Sequence, residues 1–430
     1  MKKSGLVTER SVNGGRRKSL HAFKGLSRMP AGNHARSAAA KSSGYNSLGV
    51  YQPNAIWQWI VSYLKYAFCP KHRFLNESAA PNKQSVYQVP NNLKVSLAGD
   101  WGTGTEEAAA VATQMKTWPS GEPVDLTIHL GDVYYVGDEP ELRENCLGAS
   151  HGEITGVTWP HGRLGSFGLN GNHEMYANGN AYFDIFLPTL GMHDSAGKPL
   201  QQGPSFFCLE NDHWRILGLD TGYNSVGFPI ISLWMEGNCR LPHPLIKWLR
   251  ETVKPKEKPK ATILLSHHQY FSGFEKNYPE PARQLAEFFE SPVIWLWGHE
   301  HRLAGYQYFG TDSLKVHGRC IGTGGMPIEA KAPPATNALA QQLLFYDARI
   351  NPRYGEQQLG FNGHAQLEFV GNRFTITYYS LGLGADETYA AAAQPLLREV
   401  FECHGAHITH AEVQKLSQDP KFVTFAVTGP

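Results

Sequence analysis

A short run of β-branched and aromatic residues, Val293-Ile294-Trp295-Leu296-Trp297, stops at Gly298-His299-Glu300-His301. Such a run reads as a strand buried on both faces. In a chain that stays extended past Gly298, residues two apart face the same side, so both imidazoles point together. Two neutral imidazoles so placed are natural ligands for one metal ion, or for one each of two. The construction recurs. A predicted strand at 94–98 leads into Gly99-Asp100-Trp101-Gly102, and one at 124–130 into Gly131-Asp132-Val133-Tyr134-Tyr135. A weaker strand at 164–169 precedes Gly171-Asn172-His173-Glu174, and one at 261–266 runs into His267 and His268. One Asp, Asn or His after a strand is ordinarily a turn former. Five at the carboxyl ends of strands, where open α/β sheets bind ligands, point to one shared site.

The segments between these ends alternate. Helical patterns cover 104–118, 138–148, 178–187, 242–253 and 280–290, and 206–210 with 214–220 reads as a strand pair. Antiparallel candidates follow at 305–310, 314–322, 365–371 and 373–380, the last two separated by a Gly371-Asn372 turn. Alternating β and α followed by hairpins predicts an α/β (α+β) fold with two mixed sheets flanked by helices. The tail, 386–430, reads as one or two helices with a final strand at 422–427.

Charge is unevenly distributed. Residues 1–41 carry ten Lys and Arg against the single acid Glu9, a net +9, whereas the whole chain is only +1, which leaves −8 for the rest. The larger part therefore gives no reason to expect polyanion binding across its surface. The segment 1–50 has too few large apolar residues to offset its ordering entropy and is expected to be a disordered basic arm. Its Arg- and Ser-rich character also fits an organellar transit peptide, and contact of the arm with nucleic acid or membrane has no support beyond charge. No apolar stretch reaches the ~20 residues of a membrane span, and no secretory h-region follows the N-terminus, which favours a cytoplasmic location. Residues 51–92 divide into an apolar segment at 55–68, read as an element docked on the catalytic part with an interfacial or partner-binding helix as the alternative, and a Pro-rich linker at 70–92. The catalytic domain is placed at 93–385 and a C-terminal extension at 386–430. Cys69, Cys146, Cys208, Cys239, Cys320 and Cys403 show no C-x-x-C and read as reduced thiols.

The order GDxG, GDxxY, GNHE, a strand-end His and GHxH resembles the calcineurin-like metallophosphoesterase superfamily, and the Tyr of the second motif resembles its purple acid phosphatase branch (the tartrate-resistant acid phosphatase type). The resemblance covers about residues 94–380. It implies a four-layer β-sandwich of two mixed sheets flanked by helices, and a dinuclear metal site. One ion, Fe(III) in the purple phosphatases, would be held by Asp100, Asp132, Tyr135 and His301. The other, Fe(II), Zn or Mn, would share Asp132 and take Asn172, His267 and His299. Hard carboxylate and phenolate oxygens suit the first ion, imidazoles and an amide oxygen the second. Two such ions can clamp the attacking and leaving oxygens of a displacement at phosphorus, with a shared hydroxide as nucleophile. His173 would act as general acid to the leaving alkoxide or as a charge stabiliser.

Two positions stay open. His268 competes with His267 for the ligand role; His267, the first His after the strand, is preferred, and His268 then contacts substrate or packs nearby. Tyr134 stands beside Tyr135, and aromatic residues after a buried strand are commonly packing. Glu174 reads as an exposed turn residue, with tuning of His173 as the alternative, His129 as a core or surface histidine, and Asp220 as either a ligand-orienting residue or strand packing. The function these readings imply is hydrolysis of phosphomonoesters. A phosphodiesterase on the same scaffold and a non-catalytic interaction module are the rivals; the module would require lost ligands, and here every motif position is filled.

Overall fold

The computed structural model describes residues 44–46, 48, 56–79, 84–226, 237–310 and 314–427. The arm expected at 1–50 lies almost wholly outside the described residues. Two mixed sheets form the body. In the first, β2 (Asn92–Ala98), β3 (Leu126–His129) and β4 (Gly165–Gly168) run parallel. The short β5 (Gly191–Met192) closes one side, while β13 (Gly363–Val370), β14 (Arg373–Ser380), β15 (Gln394–His404) and β16 (His407–Lys415) continue antiparallel on the other.

In the second sheet, β7 (Trp214–Leu219), β8 (Ala261–Ser266), β9 (Val293–Trp297) and β11 (Lys315–Ile321) are parallel. It is extended by β6 (Phe207–Glu210) and β1 (Val86–Gln88) on one side and by β10 (Leu303–Gly310), β12 (Leu343–Asp347) and β17 (Phe422–Thr424) on the other. All five motif-bearing strands lie in parallel stretches, so their carboxyl ends emerge on a common side of each sheet.

Strand alternation builds the layers. Val95 and Leu97, Leu126 and Ile128, Ile263 and Leu265, and Ile294 and Leu296 fill the space between the sheets. The opposite face of the second sheet, with Leu264, Val293, Trp295 and Trp297, is covered by Leu245 and Trp248 of α4 (His243–Trp248) and Ala282 and Leu285 of α5 (Pro279–Leu285). On the first sheet, Ala98 is covered by Ala108, Val111 and Met115 of α2 (Glu106–Met115) and Leu142 of α3 (Glu139–Asn145). The order helix, sheet, sheet, helix is the four-layer sandwich expected above. The predicted helix at 178–187 is reduced to a wide turn at Tyr182–Phe186 and one tight turn at Leu187–Thr189.

The tail departs from expectation. Residues 394–404 and 407–415 are strands, not helices; the first pairs with β14 and the second with the first. Positions 397, 399, 401 and 403 of β15 alternate toward the inter-sheet space, but the second of them is Glu399, and a charge at an inward position hides the apolar period of two. Glu399 is buried because Arg319 of β11 meets it from the other sheet. Arg319 Nε and Nη2 donate to its two oxygens at 2.7 and 2.5 Å, and Tyr378 adds its hydroxyl at 2.7 Å. The apolar segment at 55–68 forms helix α1 (Ile56–Tyr66). Tyr63 and Ala67 are buried, with Tyr63 against Val136 and Ala177, whereas Val61, Leu64 and Phe68 face outward. The expected linker at 70–92 contributes β1, paired with β6.

Candidate metal centre

The strand ends approach so closely that the motif glycines have no room for a side chain. A Cβ on Gly171 would collide with Asp132 Oδ1, and one on Gly298 would sit 2.6 Å from Asp100 Oδ2. Three residues with side chains nevertheless take the left-handed backbone that ordinarily favours glycine: Asp100 (φ 57°), Asp132 (φ 75°) and His299 (φ 67°). Backbone held in such regions costs about 1–3 kcal/mol per residue and gathers at functional sites. All three are among the residues expected to bind metal.

Their side chains converge. Asp132 Oδ2 lies 3.2 Å from His267 Nε2 and 3.9 Å from His173 Nε2. His267 Nε2 is also 3.1 Å from Asn172 Oδ1 and 3.2 Å from His299 Nδ1. Asp100 Oδ1 lies 3.6 Å from His301 Nε2, and its other oxygen accepts the His299 amide at 2.8 Å. Ligand atoms of Asp100, Asp132 and His267 fall within 4.8 Å of one another, and so do those of His267, His268 and His299.

Hydrogen bonds turn the donors inward. His267 Nδ1 faces the carbonyl of Leu130 at 3.0 Å, which can only accept, so one proton sits there and Nε2 is the nitrogen turned to the cluster. Asn172 Nδ2 donates to Tyr176 at 3.2 Å, leaving the amide oxygen toward His267. His268 is held differently. Its amide donates to Thr221 Oγ1 at 3.0 Å and its Nδ1 lies 3.1 Å from the same oxygen, while its ring stands 4.4 Å from that of His299.

The electrostatics suit a cation. Burial, opposed by His267 and reinforced by Asp132, lifts Asp100 to about 7. Burial would raise Asp132 too, but the imidazoles of His267, His173 and His299 hold its carboxyl well below the usual range. For His267 burial is outweighed by Asp132, Asp100 and Glu174, which hold it up at about 9. Burial and the His267 charge push His299 well below its ordinary value. The described hydrogen bonds and ion pairs of the two carboxylates are with imidazoles, a phenol and backbone amides, never with Lys or Arg. Buried carboxylates and oriented imidazoles without a fixed positive partner fit metal ions, whose binding would displace the proton at His267.

The tyrosine expectation is corrected by one position. Tyr134, not Tyr135, brings its hydroxyl to the cluster, at 2.9 Å from Asp100 Oδ1, 3.0 Å from Asp132 Oδ2 and 3.0 Å from His301 Nε2. Tyr134 is two residues on from Asp132 and shares its side, whereas the Tyr135 ring packs toward Tyr63, Val136 and Ala177. Glu174 also departs from expectation. It is fully buried, and its Oε2 accepts the amides of Gly171 at 3.0 Å and Asp132 at 3.3 Å, tying two motif loops together. Its place three residues after the tight turn at Gly171 was the signal available. Asp220 is buried and accepts from Ser205 and the Tyr223 amide, shaping the loop after β7 and bonding no metal-type ligand. His129 is a core residue that accepts the Gly131 amide at 3.1 Å among Trp101, Trp159 and Phe186.

Residues 93–303, which contain every motif above, match the family model described as calcineurin-like phosphoesterase. This segment is a calcineurin-like phosphoesterase domain. Among solved structures, the chain is similar to GAP50, the anchor in the inner membrane complex of Plasmodium, with 15% identity, a TM-score of 0.44, and coverage of 67% of this chain and 84% of that one. PhoD matches with 13% identity and a TM-score of 0.45 over 80% of this chain and 73% of its own. Vps29 of Chaetomium thermophilum matches with 9% identity and a TM-score of 0.24 over 73% and 99%. A comparison with curated protein sequences gives no match. Among the described residues, no helix is long and apolar enough to cross a membrane.

Proposed function

We propose that this phosphoesterase hydrolyses phosphomonoesters at a centre of two metal ions. The observation that carries the reading is the convergence of Asp100, Asp132, His267 and His299 within a few ångströms at the carboxyl ends of parallel strands. One ion would be held by Asp100, Asp132 and His301 beside the Tyr134 hydroxyl, the other by Asp132, Asn172, His267 and His299. The oxygen-rich first set suits a hard ion such as Fe(III), the imidazole-rich second a divalent ion such as Fe(II), Zn or Mn. Bound there, such ions supply the positive charge that polarises a phosphoryl group and lowers the pKa of a water.

The chain's own groups do the rest. Asp132 belongs to both sets and keeps them together. Asn172 and His267 present fixed donor atoms because Tyr176 and the Leu130 carbonyl hold their other ends. His173 stands at the edge of the cluster, 17% exposed, with Nδ1 on a carbonyl and Nε2 toward Asp132. With Nδ1–H on that carbonyl, the second proton of the imidazolium would sit on Nε2, placed for delivery to the ester oxygen that leaves, and the ring would return to the neutral Nδ1–H form.

The resemblance of the motif order to purple acid phosphatases supports the monoester assignment. The test is the hydrolysis rate of an aryl phosphomonoester beside the matching diester, with metal supplied. The proposal expects the monoester to be the better substrate, and a diester preference would move the assignment to phosphodiesterase.

A further inference from the structure

A carboxylate outside the motifs holds the backbone to which His173 bonds. His173 Nδ1 donates to the carbonyl of Tyr135 at 2.5 Å, and that peptide belongs to the loop between β3 and α3. Glu141, in the first turn of α3, reaches back into the same loop. Its Oε1 accepts the Tyr135 amide at 2.6 Å, and its Oε2 accepts the amides of Val136 and Gly137, each at 2.8 Å. Asp138 completes the arrangement by capping Glu141's own amide at 3.2 Å, so that cap and carboxylate hold each other. One carboxylate thus fixes three successive N–H groups of the loop whose carbonyl accepts the His173 Nδ1–H.

We infer that Glu141 is a positioning residue for His173: by pinning residues 135–137 it holds the Tyr135 carbonyl where it accepts the Nδ1–H hydrogen bond, so that Nε2 of the imidazolium is the nitrogen presented to the substrate. The inference rests on the reading of His173 as proton donor. A carboxylate suits the task because it offers two acceptor oxygens and no donor against a row of amides. An amide side chain would set an NH₂ against at least one of them.

The experiment compares Glu141→Gln, His173→Ala and the double variant on two monoesters, a nitrophenyl phosphate with a good leaving group and an alkyl phosphate with a poor one. Metal content and Tm are recorded for each. If Glu141 acts through His173, Glu141→Gln keeps its metal and loses about tenfold or more in kcat on the alkyl ester, with a much smaller loss on the nitrophenyl ester. Added to His173→Ala, it should cost little more, because coupled residues are not additive. Equal slowing on both esters, or full additivity with His173→Ala, would show a merely structural role and overturn the inference. Should Glu141→Gln fail to fold, Glu141→Asp, which keeps the charge but withdraws it by one methylene, is read by the same criteria. A His173→Ala variant with no change in leaving-group dependence would instead sink the underlying proton-donor reading, so the two failures are separable.

Discussion

At the scale of single residues, the account turns on which atoms face the cluster. Asp132 belongs to both proposed ion sets, so Asp132→Asn is expected to lower metal content at both and to cut turnover by about 10²-fold or more, as loss of a charge-stabilising group does; metal analysis beside kinetics checks this. His173→Ala should keep metal and slow cleavage most for poor leaving groups. The two tyrosines give a sharper contrast. The Tyr134 hydroxyl sits between both carboxylates and His301, whereas the Tyr135 ring packs toward Tyr63 and Ala177. Tyr134→Phe should therefore abolish any visible charge-transfer colour of an iron-loaded centre and change metal affinity. Tyr135→Phe should leave both as they are, and a colour that follows Tyr135 instead would contradict the placement.

At the scale of elements, the parallel strands were legible because burial on both faces gives uninterrupted apolar runs bounded by glycine, as in Ala261–Ser266 and Val293–Trp297. Motif spacing picked out strand ends whose side chains cluster but not side-chain direction, which is why Tyr135 was expected where Tyr134 brings its hydroxyl and why a fully buried Glu174 read as a surface residue. Strand β15 was not legible because Glu399 occupies an inward position that only its partner in the other sheet explains. That pair makes a stability prediction. Burial is outweighed by Arg319 and His410, so the folded pKa of Glu399 lies below the ordinary carboxylate value. Its contribution is therefore present above about pH 4.3 and is lost as pH falls toward the folded value. Glu399→Gln leaves Arg319 buried and unpaired, and should cost about 3–5 kcal/mol in denaturant unfolding at neutral pH. The gap between variant and parent should narrow in acid; a constant gap would show that the charge is not what matters.

At the scale of the whole molecule, two sheets supply strand ends to one centre. Asp100, Asp132 and Asn172 come from the first sheet, and His267, His299 and His301 from the second. The site can exist only when the sheets are packed together, and ligands that bind the folded state alone stabilise it by mass action. Metal content and catalysis should therefore rise and fall together. The most direct measurement is elemental analysis of the purified full chain beside its monoesterase rate, before chelation, after chelation, and after metal is restored. The account predicts two metal ions per chain, turnover lost with their removal and regained on their return. A chain that turns over equally well after its metal has been stripped would contradict it.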